Sequence, residues 1–175
     1  TNPNPMVGAV IVKDGKIIGE GYHKKYGELH AETSALNNCT KSPEGATIYV
    51  TLEPCCHHGK QPPCTEAIIK AGIKRVVIGS LDPNPLVSGK GIQILREHNI
   101  QVDNKLVCNR ECIDMNYVFF HYIKEKMPYV IVKYAQTLDG KIATHNGLSK
   151  WITGEAAREN VHMDRHRYSA VMVGI

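Results

Sequence analysis

Long apolar runs are missing: nothing in the 175 residues approaches the roughly 18 consecutive apolar residues that a membrane-spanning helix needs. Runs of like charge are missing too, and 21 Lys plus Arg against 17 Asp plus Glu leave a net charge of only +4. So small an excess helps an anionic small substrate and does not indicate nucleic acid. Aromatic residues are scarce at 6%, which leaves little stacking surface for gripping a nucleic-acid strand. The opening Thr1-Asn2-Pro3-Asn4-Pro5 has neither a basic n-region nor an apolar h-region. Export is therefore not expected, and a cytoplasmic setting is. Repeats and low-complexity tracts are absent as well. What is present, 42% hydrophobic and 22% charged residues, is the composition of a folded globular protein. The length suits one domain with a sizeable core, or one domain plus part of another.

Six cysteines could form a disulfide framework, but a chain of this length with an ordinary core needs none. Cys55, Cys56 and Cys64 crowd among Pro and His, whereas Cys39, Cys108 and Cys112 are scattered. Metal binding in a reducing compartment is the better reading of the first group, and core packing of the second. The chain starts without Met and stops inside the apolar run Ala170 to Ile175. That ending reads as a cut through a strand, so a piece of a longer protein is expected.

Val7 to Lys13 and Lys16 to His23 read as a hairpin turning at Asp14-Gly15. Helices are expected at Ala31 to Cys39, Thr65 to Ala71 (closed by Gly72), Gly91 to His98 and Arg110 to Lys124. Strands are expected at Thr47 to Leu52, Arg75 to Gly79 and Ile100 to Val102. One hairpin followed by alternating strands and helices predicts a three-layer α/β/α sandwich around a mixed sheet. Met127-Pro128 marks a boundary, because proline resists continuing a helix. Beyond it, Tyr129 to Ala135 and Lys141 to Thr144 read as strands and Glu155 to Arg167 as a helix. The 48 residues from Pro128 onward are too few to close a sheet-based domain alone. The division is 1–126 and 127–175.

The chemical signal is His30-Ala31-Glu32, then Glu53-Pro54-Cys55, then Pro63-Cys64. A hydrolytic zinc takes three protein ligands and keeps a position for water. One imidazole and two thiolates meet that count. Two thiolates nearly cancel the metal's charge, so a proton acceptor beside it becomes valuable, and Glu32 stands two residues from the histidine. The order His-x-Glu then Pro-Cys is that of the zinc deaminases, in which the Glu is the acid/base and not a ligand. The second half departs from that pattern: eight residues, not two, separate Cys55 from Cys64. Spacing alone leaves Cys55 and Cys56 both open, and the Pro-Cys pair favours Cys55. A purely structural site would want a fourth ligand, for which His57 or His58 is the candidate.

The insert Cys56-His57-His58-Gly59-Lys60-Gln61-Pro62-Pro63 resembles that of the bifunctional riboflavin-biosynthesis deaminase/reductases, of the cytidine deaminase-like superfamily. So do Asn4-Pro5, Val7-Gly8-Ala9-Val10, Gly21-Tyr22-His23, Asp82-Pro83-Asn84-Pro85 and Gly89-Lys90-Gly91. After Pro128, Lys133, Leu138 to Ala143 and Trp151-Ile152-Thr153 resemble the opening of that family's reductase domain, which is similar in fold to dihydrofolate reductase. The resemblance implies a zinc-dependent deaminase domain over 1–126, lacking its first helix, and the incomplete start of a reductase domain over 127–175. It implies as substrate a diaminopyrimidinone carrying a ribosylamino 5′-phosphate, which loses a ring amino group. Zinc on His30, Cys55 and Cys64 would supply the nucleophile and Glu32 would move protons. Asn4, His23, Lys60, Asp82 and Asn84 would bind the substrate, Lys60 being our choice for its phosphate. In the reductase segment, Ala135 and Trp151 would lie near NADPH and Ser149 and Arg165 near the sugar phosphate. Most of that half lies beyond Ile175 in the family, so no complete NADPH site is expected here. A homo-oligomer is also implied.

Two other readings compete, a non-catalytic zinc-stabilised module and a deaminase of another kind. A tRNA or nucleoside deaminase shares the zinc chemistry, but the long Cys55–Cys64 insert and the scarcity of aromatics disfavour it. Asp82 and Asn84, in Asp-Pro-Asn-Pro, also suit a plain turn. His98, His121, His145, His162 and His166 are given no functional role.

Overall fold

The computed structural model describes residues 1–175 apart from 86, 105, 106 and 175. The chain divides into two compact units, Thr1–Tyr129 and Val130–Ile175.

The first unit opens with the hairpin of β1 (Gly8–Lys13) and β2 (Lys16–Tyr22). Helix α1 (Ala31–Asn37), β3 (Thr47–Val50), α2 (Cys64–Lys70), β4 (Arg75–Ile78), α3 (Lys90–Glu97) and β5 (Gln101–Asp103) follow. The five strands lie in the order β2-β1-β3-β4-β5. β1 is antiparallel to both its neighbours, while β3, β4 and β5 run parallel. Parallel neighbours need a crossover, and α2 and α3 are those crossovers. The mixed sheet with helices is the α/β class expected.

The core lies between the sheet and α1 to α3. Ile11, Ile48, Val76 and Ile78 from the strands meet Ala35, Ile68 and Leu95 from the helices. Each large aliphatic side chain removed from water there contributes about 1.5–3 kcal/mol. On the opposite face the segment around Cys112 approaches beyond the end of β4, where Cys112 lies against Gly79. Tyr22 and Tyr49 on that face stay exposed.

Two glycines set the geometry that matters for function. At Gly21 any Cβ would run into the backbone of Ala35, so only glycine lets α1 lie this close to the sheet. Gly72, at φ +69°, ends α2. Its N–H donates to Ile69 O (3.0 Å) and the N–H of Ile73 to Ile68 O (3.4 Å), the paired bonds that satisfy a helix's last carbonyls.

Three expectations are corrected. The helix expected over Arg110 to Lys124 is two, α4 (Asn109–Met115) and α5 (Tyr117–Glu125), broken at Asn116, whose backbone leaves helical geometry (φ −122°, ψ 24°) and whose side chain bonds the backbone of Met6. Cys108 is not a core residue. It is exposed, at φ 54° just before α4. In the second unit neither Tyr129 to Ala135 nor Lys141 to Thr144 is a strand. A strand needs a neighbour to pair with, and no ladder forms there among the described residues, leaving Val130 and Val132 more than 70% exposed. Ala170 to Gly174 likewise form no strand, and Ile175 lies outside the described residues. α6 (Glu155–Arg167) does form. Among the described residues no helix is long and apolar enough to cross a membrane.

Candidate active site

His30 is the N-cap of α1, in extended backbone geometry, and Glu32 is the second residue of that helix. The change of backbone direction at the cap sends the two side chains apart while keeping both at the same end of the helix. Cys64 is the first residue of α2, preceded by Pro63. Proline there loses nothing, since the first N–H groups of a helix have no partner within it. Cys55 follows β3 and is tied to α2 by two contacts: its carbonyl accepts from Thr65 N at 3.2 Å, and its sulfur from Cys64 N at 3.3 Å.

These placements bring His30, Cys55 and Cys64 together, with their ligand atoms all within 4.8 Å of one another. His30 Nδ1 lies 3.4 Å from Cys55 Sγ and 3.3 Å from Cys64 Sγ. Tetrahedral zinc, with bonds of about 2.05 Å to nitrogen and about 2.3 Å to sulfur, sets N···S separations of about 3.6 Å. The three donors therefore fit such an ion with adjustments of a few tenths of an ångström. Among the described residues no fourth His, Cys, Asp or Glu joins them. His58 turns instead toward Glu66, 3.9 Å away. The group contains Cys55 and not its neighbour Cys56.

The electrostatics match a site built for a cation. The hydrogen bond from Cys64 brings the Cys55 thiol down to about 4, with the His30 bond adding to the effect. Cys64 is pushed upward by the same bond and by its burial. Without a cation the two sulfurs thus share one negative charge, and a bound divalent ion would take the place of the remaining proton. His30 is raised, chiefly by its bond to Cys55, although burial opposes this. Glu32 is 3% exposed, and that burial drives its carboxyl up to about 7.

A cavity of about 350 Å³ opens over His30, Glu32 and Cys55. Asn4, His23, Lys60, Asp82 and Asn84 all line it. His23 is buried, with Nδ1 at 3.0 Å from Leu29 O and Nε2 at 3.1 Å from Asn4 Nδ2. A carbonyl only accepts, so Nδ1 carries the hydrogen and Nε2 accepts from the Asn4 amide. Lys60 places its ammonium 4.1 Å above the Tyr26 ring, and Gln61 Nε2 donates to Gly27 O at 2.9 Å. The long insert is thereby laid across the segment before α1. Asp82 Oδ1 accepts from Asn84 N at 2.8 Å, an Asx turn, and burial raises its carboxyl.

Tyr26, Val87 and Phe119 also line the cavity and carried no signal in the sequence beyond their type, and Glu53, beside the Pro54-Cys55 pair, lines it too. Glu53 is 3% exposed and accepts from Gly89 N (3.1 Å) and Ile92 N (3.4 Å), anchoring the start of α3. Among the described residues, a larger cavity of about 650 Å³ over the other face of the sheet, around Val10, Tyr49 and Val77, holds no such group of ligands. In the second unit Ser149, Trp151 and Arg165 are exposed and Ala135 is half-buried. Arg158 stacks 4.5 Å from the Trp151 ring.

Fold and site define a class, that of the zinc-binding deaminases: residues 1–80 match the family described as the cytidine and deoxycytidylate deaminase zinc-binding region. Residues 128–175 match the RibD C-terminal domain. The chain is 58% identical over 175 residues to riboflavin biosynthesis protein RibD of Actinobacillus pleuropneumoniae, covering 100% of this chain and 46% of that protein. It is 55% identical to the Aquifex aeolicus protein of the same name, again over all of this chain and 49% of the relative. Among solved structures, a diaminohydroxyphosphoribosylaminopyrimidine deaminase/5-amino-6-(5-phosphoribosylamino)uracil reductase from Thermotoga maritima superposes with a TM-score of 0.88 at 52% identity, over 96% of this chain and 48% of that one. Along its whole length the chain is similar to the bifunctional riboflavin-biosynthesis deaminase/reductases. It spans about half the length of the curated relatives it matches.

Proposed function

We propose that residues 1–126 catalyse hydrolytic deamination of 2,5-diamino-6-ribosylamino-4(3H)-pyrimidinone 5′-phosphate. The observation that carries the reading is a three-donor metal group with a buried carboxyl beside it, at the floor of a cavity that also holds a lysine. Zinc held by His30, Cys55 and Cys64 would supply a water acidified enough to attack carbon. Glu32 takes a proton from that water and returns it to the ring nitrogen. It then passes the second proton to the departing amine, so that a C–N bond is exchanged for C=O and ammonia leaves. A carboxyl near 7 is suited to giving and taking a proton around neutral pH. Asn4, His23, Asp82 and Asn84 orient the heterocycle and its sugar, and Lys60 receives the phosphate as a compact point charge.

Residues 127–175 are read as the start of a reductase domain. In the full-length protein that domain would reduce the ribosyl group to ribityl with NADPH, Ala135 and Trp151 contributing near the dinucleotide and Ser149 and Arg165 near the sugar phosphate. We place the protein in the cytoplasm, as a homo-oligomer acting on a small molecule and not on nucleic acid. Six free cysteines accord with a reducing compartment.

The test is metal analysis combined with ammonia release from the diaminopyrimidinone phosphate. Glu32→Gln should keep one zinc per chain while ammonia release falls by about 10²–10⁴-fold. Wild-type rates in that variant would remove Glu32 from the mechanism.

A further inference from the structure

The cavity wall made by Asn4, Pro5 and Val7 has little apolar anchorage. None of residues 1–8 is fully buried, and the Met6 side chain is 48% exposed. Apolar burial holds the segment at Val7, which packs against the core; at Asn4 to Met6 polar contacts hold it, and the shortest come from Asn116, 110 residues along the chain. Its Oδ1 accepts from Met6 N at 2.7 Å and its Nδ2 donates to Met6 O at 2.7 Å. An amide presents one acceptor and two donors on a planar fork, so it can satisfy both main-chain groups of one residue as a neighbouring strand would. Asn116 is only 6% exposed, so little water competes at its amide, and losing Met6 as a partner would leave that buried amide unsatisfied.

Asn116 sits at the break between α4 and α5, and its carbonyl accepts from Phe120 N at 3.0 Å to begin α5. One turn on, Phe119 lines the same cavity. On the other side of Met6, Asn4 bonds His23 Nε2, and Val7 O accepts from His23 N at 3.0 Å. One buried amide thus joins the start of the unit to its last helices, behind two walls of the cavity.

We infer that Asn116 is a positioning residue that holds the Asn4–Val7 wall in its substrate-binding place, an inference that rests on reading the cavity as the substrate site. Asn116→Leu, of similar size but without the amide, should raise KM about tenfold with kcat within about twofold and zinc content unchanged. Asn116→Asp keeps the acceptor and loses the donor, and should give a smaller rise; it also serves if the leucine variant fails to fold. Because Asn116 acts through the wall, its effect should shrink to under about threefold in an Asn4→Ala background. Hydrogen exchange reads the same inference without any substrate: the amides of Met6 to Gly8 should exchange faster in Asn116→Leu, with the sheet unaffected. An unchanged KM in a folded, zinc-loaded variant, a full tenfold effect without Asn4, or unchanged exchange at Met6 would each overturn it. Failure of the wild-type chain to release ammonia would instead sink the proposed reaction, and the exchange result would still decide the role of Asn116.

Discussion

Glu32 has almost no contact with solvent, and its burial outweighs the bonds to backbone and to Cys64 that favour its charge. Its burial is what lifts the carboxyl to about 7 from an ordinary 4.5. In the metal-free protein the folded state therefore holds this proton more tightly than the unfolded chain does. Between about pH 4.5 and 7 the folded state binds more protons, so Glu32 makes stability fall as pH rises through that window. Glu32→Gln removes the dependence. At pH 8 the metal-free glutamine variant should be the more stable by about 1–3 kcal/mol, and at pH 4 the two should coincide. Urea denaturation of both proteins at the two pH values measures this. The adjacent cysteines make a second contrast at the same scale. Cys55 is shared with His30 and Cys64, and Cys56 is not. Cys55→Ser should lose bound zinc on dialysis, while Cys56→Ser should retain it. Zinc retained equally by both would remove the distinction.

Among the elements, α1 has the most demanding position, because it carries both His30 and Glu32 into the site. Its distance from the sheet depends on the absence of a side chain at Gly21, where a Cβ would meet the backbone of Ala35. Backbone cannot move aside as a flexible side chain can. Gly21→Ala should therefore cost about 1–3 kcal/mol of stability and also weaken zinc binding, since displacing α1 displaces His30 from the two sulfurs. Thermal unfolding and a competitive zinc titration check the two halves of that statement. The break between α4 and α5 belongs to the same scale. Residues 109–125 have the composition of one continuous helix, but Asn116 is claimed by Met6 and the helical path is interrupted.

At the scale of the molecule, the first unit has a closed core between sheet and helices, and the second has one long helix and no buried residue on it. Thr137 and Thr144 each close a short loop with the residue four ahead, yet no sheet forms among the described residues there. The chain by itself should leave NADPH unoxidised in the presence of the deaminated product. Absorbance at the reduced-nicotinamide band provides the check, and measurable turnover would show that residues 127–175 suffice for reduction.

The sequence by itself determined the alternation of elements in the first unit, the hairpin at Asp14-Gly15 and the end of α2 at Gly72, and it marked His30, Cys64 and one of Cys55 and Cys56 as candidate donors. These are written in local patterns: hydrophobic period, turn chemistry and short spacings, all set by residues within a turn or two of one another. Only the tertiary structure grouped Cys55 and not Cys56 with His30 and Cys64, broke the helix at Asn116 and brought Tyr26, Glu53 and Phe119 to the cavity. It also left Tyr129 to Ala135 without the neighbour a strand requires. Each of those outcomes depends on partners tens of residues away, up to 110 for Asn116 and Met6. Which distant groups meet follows from strand order and helix crossovers, and no local pattern encodes that.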